Sequence, residues 1–287
     1  MNTTRPFRFG VVAAQARSGD DWQAKARRVE ALGYATLVVP DGLRYILAPL
    51  PALAVAAAAT QTLRVGTYVI DNDFRNPVLL AKDAATIDFL SNGRFELGLG
   101  AGRPDAAEDN QLLGIPFESG AARLARLAAA LQAIKNAWSE SSPLSPRPAQ
   151  RPRPPILVAA SGKQMLALAA READIIALGT APTATEDDVL QKIVLIREAA
   201  GQRFDGIELN LNLMAVADQV PQHISRRMNL TAQALADAGA ASAVVGTTEQ
   251  MCETLQARRE RLGVSYIMVA DELMEAFAPV VQRLSGH

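Results

Sequence analysis

Residues 156–178, ILVAASGKQMLALAAREADIIAL, contain two strand-like runs with a helical segment between them. Two short and mostly apolar runs, 156–160 and 174–178, flank a segment of helical period over 164–171. Strands of this kind are typical of a parallel sheet that is buried on both faces, and parallel neighbours need a helical crossover between them. The stretch therefore predicts a β–α–β unit and an α/β fold.

The same alternation extends in both directions along the chain. Further strands are predicted over 7–12, 35–40, 63–70, 95–100, 207–215 and 264–269. Helices are predicted over 20–32, 49–60, 77–90, 121–138, 186–200, parts of 222–263, and 272–284. Eight strands, each followed by a helix, within 287 residues predict a (β/α)8 TIM barrel. A doubly wound open sheet is the alternative, but the first strand continues into AAQA at 13–16, without a glycine-rich turn.

We expect one domain over 1–287 that is interrupted by a flexible insertion at 141–155, between the fourth helix and the fifth strand. The insertion holds six prolines and three arginines and no acidic residue. Proline has no N–H for a central strand or for a helix interior, so this segment predicts a surface excursion.

Composition and charge exclude several classes of protein. Lys and Arg number 29 against 30 Asp and Glu, which leaves no concentrated basic charge for nucleic acid. A single cysteine and two histidines exclude an internal disulfide and predict that there is no metal site. No apolar run reaches membrane-spanning length, and residues 1–10 lack the apolar core of a signal peptide. We therefore expect a cytoplasmic protein with no membrane segment.

In a (β/α)8 barrel the active site is built from the loops that follow the strands. Asp41 follows the second strand as either a ligand contact or a helix cap. Asp71, Asn72 and Asp73 follow the third strand, where turn chemistry explains them better than a divalent ion does. Arg103 follows the fourth strand as either a ligand clamp or a solvated charge.

Two later loops offer backbone N–H groups. Ser161-Gly162 begins a predicted helix, where free N–H groups and the helix dipole favour an anion. Gly179-Thr180 follows the sixth strand. Adjacent late loops commonly bind phosphate in barrels, although glycines also end strands in many barrels without any ligand.

Residues 75–102, RNPVLLAKDAATIDFLSNGRFELGLGAG, resemble the signature of the bacterial luciferase-like superfamily of flavin- and deazaflavin-dependent oxidoreductases. Segments 26–41, 114–117, 155–178 and 244–255 are also similar to that superfamily, so the resemblance covers nearly the whole chain. The subgroup that the chain resembles most is the actinobacterial class that uses coenzyme F-420.

The resemblance implies an isoalloxazine-type ring across the barrel mouth, supported by a bulge with a non-prolyl cis peptide near residues 68–71. It implies that the ring contacts Asp41, Ile70, Asp71, Asn72, Gly100, Ala101 and Gly102. It implies that the coenzyme phosphate is bound near Ala160, Ser161, Gly162, Gly179 and Thr180. Asp41, Asn72 and Arg103 are the candidate catalytic residues.

Two departures from the family pattern narrow the function. Deazaflavin-dependent sugar-phosphate dehydrogenases carry a histidine where this chain has Gly42 and a glutamate where it has Arg103, so the proton-transfer pair is absent. The resemblance then implies hydride transfer between coenzyme F-420 and a small organic substrate with an activated C=C, a C=N or an alcohol or carbonyl group.

Two other functions stay open at this stage. One is an FMN-dependent monooxygenase that receives reduced flavin from a partner reductase, and the other is a non-catalytic flavin-binding protein. Members of the superfamily are often dimers, so a homodimer is expected.

Overall fold

The computed structural model describes residues 5–44, 46–103 and 106–287. Its strands are β1 (Arg8–Val12), β2 (Thr36–Val39), β3 (Arg64–Thr67), β4 (Ile70–Asp71), β5 (Phe95–Gly100), β6 (Ile156–Ala160), β7 (Ile175–Leu178), β8 (Glu208–Leu213), β9 (Ala215–Val216), β10 (Ala243–Val244) and β11 (Val264–Ala270). Its α-helices are α1 (Gly19–Ala31), α2 (Pro49–Ala59), α3 (Pro77–Leu90), α4 (Ala107–Leu113), α5 (Gly120–Ala137), α6 (Lys163–Glu172), α7 (Glu186–Ala200), α8 (Gln222–Met228), α9 (Ala232–Asp237), α10 (Thr248–Leu262) and α11 (Met274–Leu284).

The order of the strands confirms the predicted (β/α)8 barrel. The main sheet runs β3-β2-β1-β11-β8-β7-β6-β5-β4, and β3 also pairs with β5, so the order returns to its start. The strand pairs β1–β11, β11–β8, β7–β8, β5–β6 and β3–β5 are all parallel. A doubly wound open sheet, which was the alternative, has no such closing pair.

The chain divides into two compact units. The N-terminal unit comprises residues 14–27 and 38–159, and the C-terminal unit comprises the residues up to Ala13, 28–37 and 160–287. In the N-terminal unit, apolar side chains of β5 are buried with Leu127 and Leu131 of α5. In the C-terminal unit, Phe9 stacks on Phe7 at 5.7 Å and meets the edge of Phe277 at 5.5 Å. The prediction of one domain over 1–287 stays a prediction.

Four local differences separate the predicted elements from the observed ones. The seventh predicted strand, 207–215, is divided into β8 (Glu208–Leu213) and β9 (Ala215–Val216). The third predicted strand is broken after Thr67, and pairing resumes at Ile70. Helix α4 lies in a stretch that was expected to be loop, and β10 lies in a stretch that was expected to be mostly helical. Helix α4 is mostly polar over seven residues and β10 has two residues, so neither leaves an apolar period in the sequence.

Segment 141–155 contains no helix or strand, as its prolines predict. Its residue Gln150 is nevertheless held firmly. The backbone N–H of Gln150 donates to Asp88 Oδ2 at 2.9 Å, and its amide donates to Asp88 Oδ1 at 2.6 Å and to the Phe95 carbonyl at 2.7 Å. One part of the segment is thus bound to α3 and β5, and the predicted flexibility of the rest stays a prediction.

The first residues of two strands form an ion pair in the C-terminal unit. Arg8 donates Nε to Glu208 Oε1 at 2.9 Å and Nη2 to Glu208 Oε2 at 2.7 Å. The guanidinium also lies 3.6 Å from the ring centroid of Tyr266. Only 21% and 14% of the Arg8 and Glu208 side chains are exposed. Polar groups at the N-terminal ends of barrel strands usually serve stability.

We expect Arg8→Met to lower the free energy of unfolding by about 2–3 kcal/mol, because it leaves the Glu208 carboxylate without its cation. Urea unfolding followed by circular dichroism measures the change. Arg28→Met is the matched control, because Arg28 makes the same two-pronged contact to Glu275 with about half of each side chain exposed to water. Equal losses in the two variants would contradict the structural role of the Arg8–Glu208 pair.

Candidate functional site

One extra residue interrupts the edge where β3 and β4 pair with β5. Gly66 lies opposite Glu96, whereas Ile70 lies opposite Leu99. The four residue steps from Gly66 to Ile70 therefore lie opposite only three steps, from Glu96 to Leu99, which defines a β-bulge. The Tyr68–Val69 peptide within it is cis. The predicted bulge with a non-prolyl cis peptide near 68–71 is confirmed.

The bulge explains the glycines of the motif FELGLG at 95–100. A Cβ on Gly98 would lie 2.0 Å from the Thr67 carbonyl oxygen, and a Cβ on Gly100 would lie 2.8 Å from Val69 Cγ2. The Thr67 hydroxyl accepts from the Gly98 N–H and donates to the Gly98 carbonyl, both at 2.8 Å. Any larger residue would displace the bulge from β5.

Asp41 anchors the loop after β2 to this bulge. Its buried carboxylate accepts from the N–H of Asp71 and from the N–H of Gly42, both at 3.1 Å. Arg75 adds a two-pronged contact, with Nη2 at 3.0 Å from Oδ1 and Nη1 bonded to Oδ2. The carboxylate is bonded within the protein through both oxygens and caps no helix, and a ligand contact at Asp41 stays a prediction.

Asp71 and Asp73 form a turn in which their carboxyl groups meet different surroundings. Asp71 Oδ1 accepts from the Asp73 N–H at 3.1 Å, which is the turn chemistry expected from the sequence. Asp73 itself accepts from Arg126 Nε at 2.9 Å and from Nη2 at 2.8 Å. Burial raises the pKa of the Asp71 carboxyl, the nearby charges of Asp73 and Asp41 raise it further, and the Asp73 N–H and Arg123 lower it.

The loop after β5 is held by an arginine that the sequence did not indicate. Arg123 Nη1 donates to the carbonyls of Ala101 and Gly102, each at 3.0 Å, and its guanidinium stacks over Phe117 at 4.3 Å. Gly102 has a φ of +80°, which favours glycine. Arg103 follows as an exposed residue whose carbonyl accepts from the Ala106 N–H.

Buried Asn72 lines a cavity of about 480 Å³ in the N-terminal unit. Pro77, Ile115 and Pro116 line the same cavity with alanines of α5. Its charged lining residues are paired inside the protein: Arg75 with Asp41, and Arg126 with Asp73 and Glu118. The cavity therefore presents no unpaired cation of this set to an anionic ligand.

The remaining predicted residues belong to the C-terminal unit. The N–H of Gly179 donates to the Ala160 carbonyl at 2.8 Å and is thus committed to the protein. A Cβ on Gly179 would lie 3.0 Å from Ser161 Cβ, so glycine at position 179 allows Ser161 to approach this closely. Ser161 and Gly162 are exposed, and Thr180 is half-buried.

Helix α6 begins at Lys163, after the N-cap residue Gly162. Gly162 provides no side-chain cap, and a Cβ on it would meet no atom within 4 Å. Lys192 Nζ donates to the Ser161 carbonyl at 2.7 Å and brings a positive charge beside this turn. The arrangement suits an anion at the first N–H groups of the helix.

The predicted site residues thus form two groups, one in each unit. The structure brings Asp41, Ile70, Asp71, Asn72 and residues 100–102 together around the bulge, and it brings Ala160, Ser161, Gly162 and Gly179 together at the start of α6. Sequence reasoning missed Arg75, Arg123 and Arg126. The position of Arg75 directly after the turn residues was the available signal.

Among the described side chains of residues 5–44, 46–103 and 106–287, no three His, Cys, Asp or Glu gather as a metal site would require. None of the helices in these ranges is both long and apolar enough to cross a membrane.

Comparison with known proteins gives three informative matches. The oxygenase component of a flavin-dependent trigonelline monooxygenase from Acinetobacter baylyi is 28% identical over 180 residues, which is 58% of this chain and 49% of that protein. An F-420-dependent glucose-6-phosphate dehydrogenase from Kribbella flavida is 28% identical over 241 residues, 75% of this chain and 71% of that protein. The solved structure of the coenzyme F-420-dependent tetrahydromethanopterin reductase from Methanopyrus kandleri superposes with a TM-score of 0.78 at 16% identity, covering 98% of this chain and 100% of that one.

The chain spans about half the length of the first curated relatives it matches. The structural likeness, at this low identity, concerns the fold. The family comparison covers more of the sequence, because residues 6–233 match the luciferase-like monooxygenase family. Since this match spans well over half of the chain, the protein belongs to the luciferase-like monooxygenase family.

Proposed function

We propose that the protein is an oxidoreductase that transfers a hydride between coenzyme F-420 and a small organic substrate, one with an activated C=C, a C=N, or an alcohol or carbonyl group. The observation that carries the proposal is the bulge packed against Gly98 and Gly100. The proposed support for a flat ring is this bulge, whose Thr67 carbonyl and Val69 side chain lie where side chains at positions 98 and 100 would otherwise be. The resemblance to F-420-dependent relatives supports the choice of cofactor.

The residues present fit such a coenzyme. Ile70, Asp71, Asn72 and residues 100–102 are proposed to contact the ring, and the exposed uncapped start of α6 at Ser161-Gly162, with Thr180, to bind its phosphate. Gly179 serves through its small size, because its N–H is already bonded. Asp41 orients the bulge through the Asp71 N–H. A bound reduced deazaflavin supplies a hydride, and the protein supplies orientation and excludes water.

Catalytic roles for Asp41, Asn72 and Arg103 stay part of the proposal. Cofactor contacts of Asp41 and Ala160 stay part of it as well. Asn72 presents an amide at a cavity with room for a small molecule, and an amide can bind a carbonyl or a hydroxyl group. Arg103 is exposed after the glycines of the loop, where a guanidinium can stabilise negative charge that develops on a substrate. A cytoplasmic location stays a prediction.

The second candidate is an FMN-dependent monooxygenase that is supplied by a flavin reductase. The similarity to the Acinetobacter oxygenase component is the observation in its favour. The two candidates differ in the ring that the site accepts and in whether oxygen is consumed.

We also propose a homodimer that is built on α2 and α3. Both helices are apolar on most of their surface, and Val55, Leu79, Phe89 and Leu90 remain exposed, by 42%, 62%, 56% and 70%. A helix that is apolar on nearly every side is usually covered by another element. The exposed stripe includes Lys82 and Asp83, which suits a two-fold contact in which each residue meets its opposite charge.

Titration of the protein with F-420 and with FMN, followed by ligand fluorescence, is expected to show tight binding of F-420 alone. Tight binding of FMN alone, with oxygen consumed when reduced FMN and substrate are added, would replace the first candidate by the second. Binding without any turnover on a broad panel of enones, imines and alcohols would favour a non-catalytic flavin-binding protein.

Gly162→Asp is expected to weaken F-420 binding by about tenfold or more, equivalent to roughly 1.4 kcal/mol, because it places a negative charge at the proposed phosphate site. The fold should not suffer, since aspartate is a favourable N-cap residue. Gly120→Asp is the matched control, at the start of α5, where a Cβ also meets no atom within 4 Å. Unchanged affinity in Gly162→Asp would exclude this phosphate site.

Light scattering is expected to give the wild-type protein twice the chain mass of 30.6 kDa. The double variant Leu79→Glu, Phe89→Lys should give a single chain mass, because the new charges lie on the exposed stripe. The new glutamate lies near the N-terminus of α3 and the new lysine near its C-terminus, where the helix dipole favours these charges, so α3 should remain folded. Val194→Glu on α7, also an exposed apolar site, should leave the dimer intact. A dimer that persists in the double variant would contradict the proposed interface.

A further inference from the structure

Resting on the proposed hydride transfer, we infer that the cavity beside Asn72 selects the substrate, and that it takes a neutral carbonyl compound with a bulky apolar group. The cavity measures about 480 Å³, and its lining residues belong to the N-terminal unit. Pockets for small molecules usually measure about 300–1,000 Å³ and are mostly apolar, with a few placed polar groups. We call it the α5 cavity, because one face of α5 lines it.

Small side chains on α5 leave the space of the cavity open. The lining residues of this helix are three or four positions apart, a spacing that places them on one face. They are Arg126, Ala129, Ala130 and Ala133. The large apolar residues Leu127, Leu131 and Ile134 are fully buried on the adjacent face. Because alanine carries only one methyl group, larger residues on the first face would fill the cavity.

A second wall of the cavity is also apolar and is held by the end of α4. Pro77, Ile115 and Pro116 line this part. The N–H of Ile115 donates to the main-chain carbonyl of Asn110 at 3.0 Å, and the Asn110 amide donates to the Pro116 carbonyl at 3.3 Å. Asn110 is only 1% exposed. Hydrogen bonds within the protein therefore fix this wall.

The charges at the cavity are matched within the protein. Arg126 donates to Asp73 at 2.9 Å and 2.8 Å and also bonds to Glu118, whereas Arg75 is paired with Asp41. These three acids and two arginines together leave one negative charge. An anion would lose its hydration without gaining an unpaired cation of this set, and a cation would compete with the arginines for their carboxylates. The cavity therefore favours a neutral ligand.

Asn72 supplies a polar group for the carbonyl of such a ligand. It is 8% exposed and lines the cavity. Within residues 5–44, 46–103 and 106–287, its side-chain amide has no hydrogen-bond partner. An amide N–H can donate to a carbonyl oxygen. Asn72 directly follows Asp71, the last residue of β4, so the polar end of the cavity begins next to the bulge that is proposed to support the ring.

The first test measures binding without any cofactor. Benzylideneacetone and cinnamate share a phenyl ring and a conjugated C=C, but the first is a neutral ketone and the second is an anion. In isothermal titration calorimetry we expect the ketone to bind at least about tenfold more tightly, because the carboxylate loses its hydration without a partner. Absence of ketone binding, or equal binding of the two compounds, overturns the inference.

The second test locates the bound ketone. Ala133→Trp should weaken its binding by at least about tenfold, because the indole fills the cavity. Ala125→Trp is the matched control, since Ala125 is an exposed residue of α5 outside the lining. Ala129→Trp, at the exposed side of the cavity, is a second filling variant that should act in the same direction. Circular dichroism verifies the fold, and wild-type affinity in every folded filling variant overturns the inference.

The third test links the cavity to turnover with reduced F-420. Ala133→Trp should raise the KM for benzylideneacetone by about tenfold and leave the KM for 2-cyclohexen-1-one nearly unchanged, because the smaller ketone lacks the bulky group. Equal effects on both substrates overturn the role in selection. Failure of the wild-type protein to bind F-420 overturns the proposed function instead, and the cofactor-free titrations still decide whether the α5 cavity takes a neutral apolar ligand.

Discussion

The extra residue between β3 and β4 is the constraint on which the N-terminal unit depends. It presses the Thr67 carbonyl and the Val69 side chain toward β5, so Gly98 and Gly100 are required there. It also delays the return to pairing until Ile70, which places Asp71 opposite Gly100. The N–H of Asp71 then reaches Asp41, and Asp41 in turn binds Arg75. The placement of the acidic cluster follows from one change of register.

The fold could be predicted because burial leaves a periodic trace in the sequence. Strands buried on both faces, such as 156–160, read as continuous apolar runs, and proline and glycine mark where the helices begin and end. Short elements leave no such trace. Helix α4 has seven residues, mostly polar, and Gly114 at its C-cap was the sole local sign of it. The sequence patterns therefore predicted the apolar strands and the longer helices, and they missed α4 and β10.

The sequence indicated which candidate residues follow the barrel strands, but it did not indicate which side chains they contact. Strand ends locate Asp41, Asp71 and Asn72, because every loop that follows a barrel strand reaches the same face. The arginine partners lie 34 residues from Asp41 and 53 residues from Asp73 in sequence, so local pattern does not reveal which charge meets which. The N–H of Gly179 is a similar case. Its hydrogen bond to the Ala160 carbonyl depends on how two strands align, which the glycine alone does not reveal.

Asp71 and Asp73 lie two positions apart in one short turn, yet they differ in chemistry because they face different elements. The Asp73 carboxylate accepts two hydrogen bonds from Arg126 on α5. The Asp71 carboxyl lies near Gly102 and near the charge of Arg123, whose Nη1 is bonded to the carbonyls of Ala101 and Gly102. A carboxyl group needs a cation, or several N–H donors, to stay ionised when it is buried. Burial and the charges of the two neighbouring acids accordingly raise the pKa of Asp71.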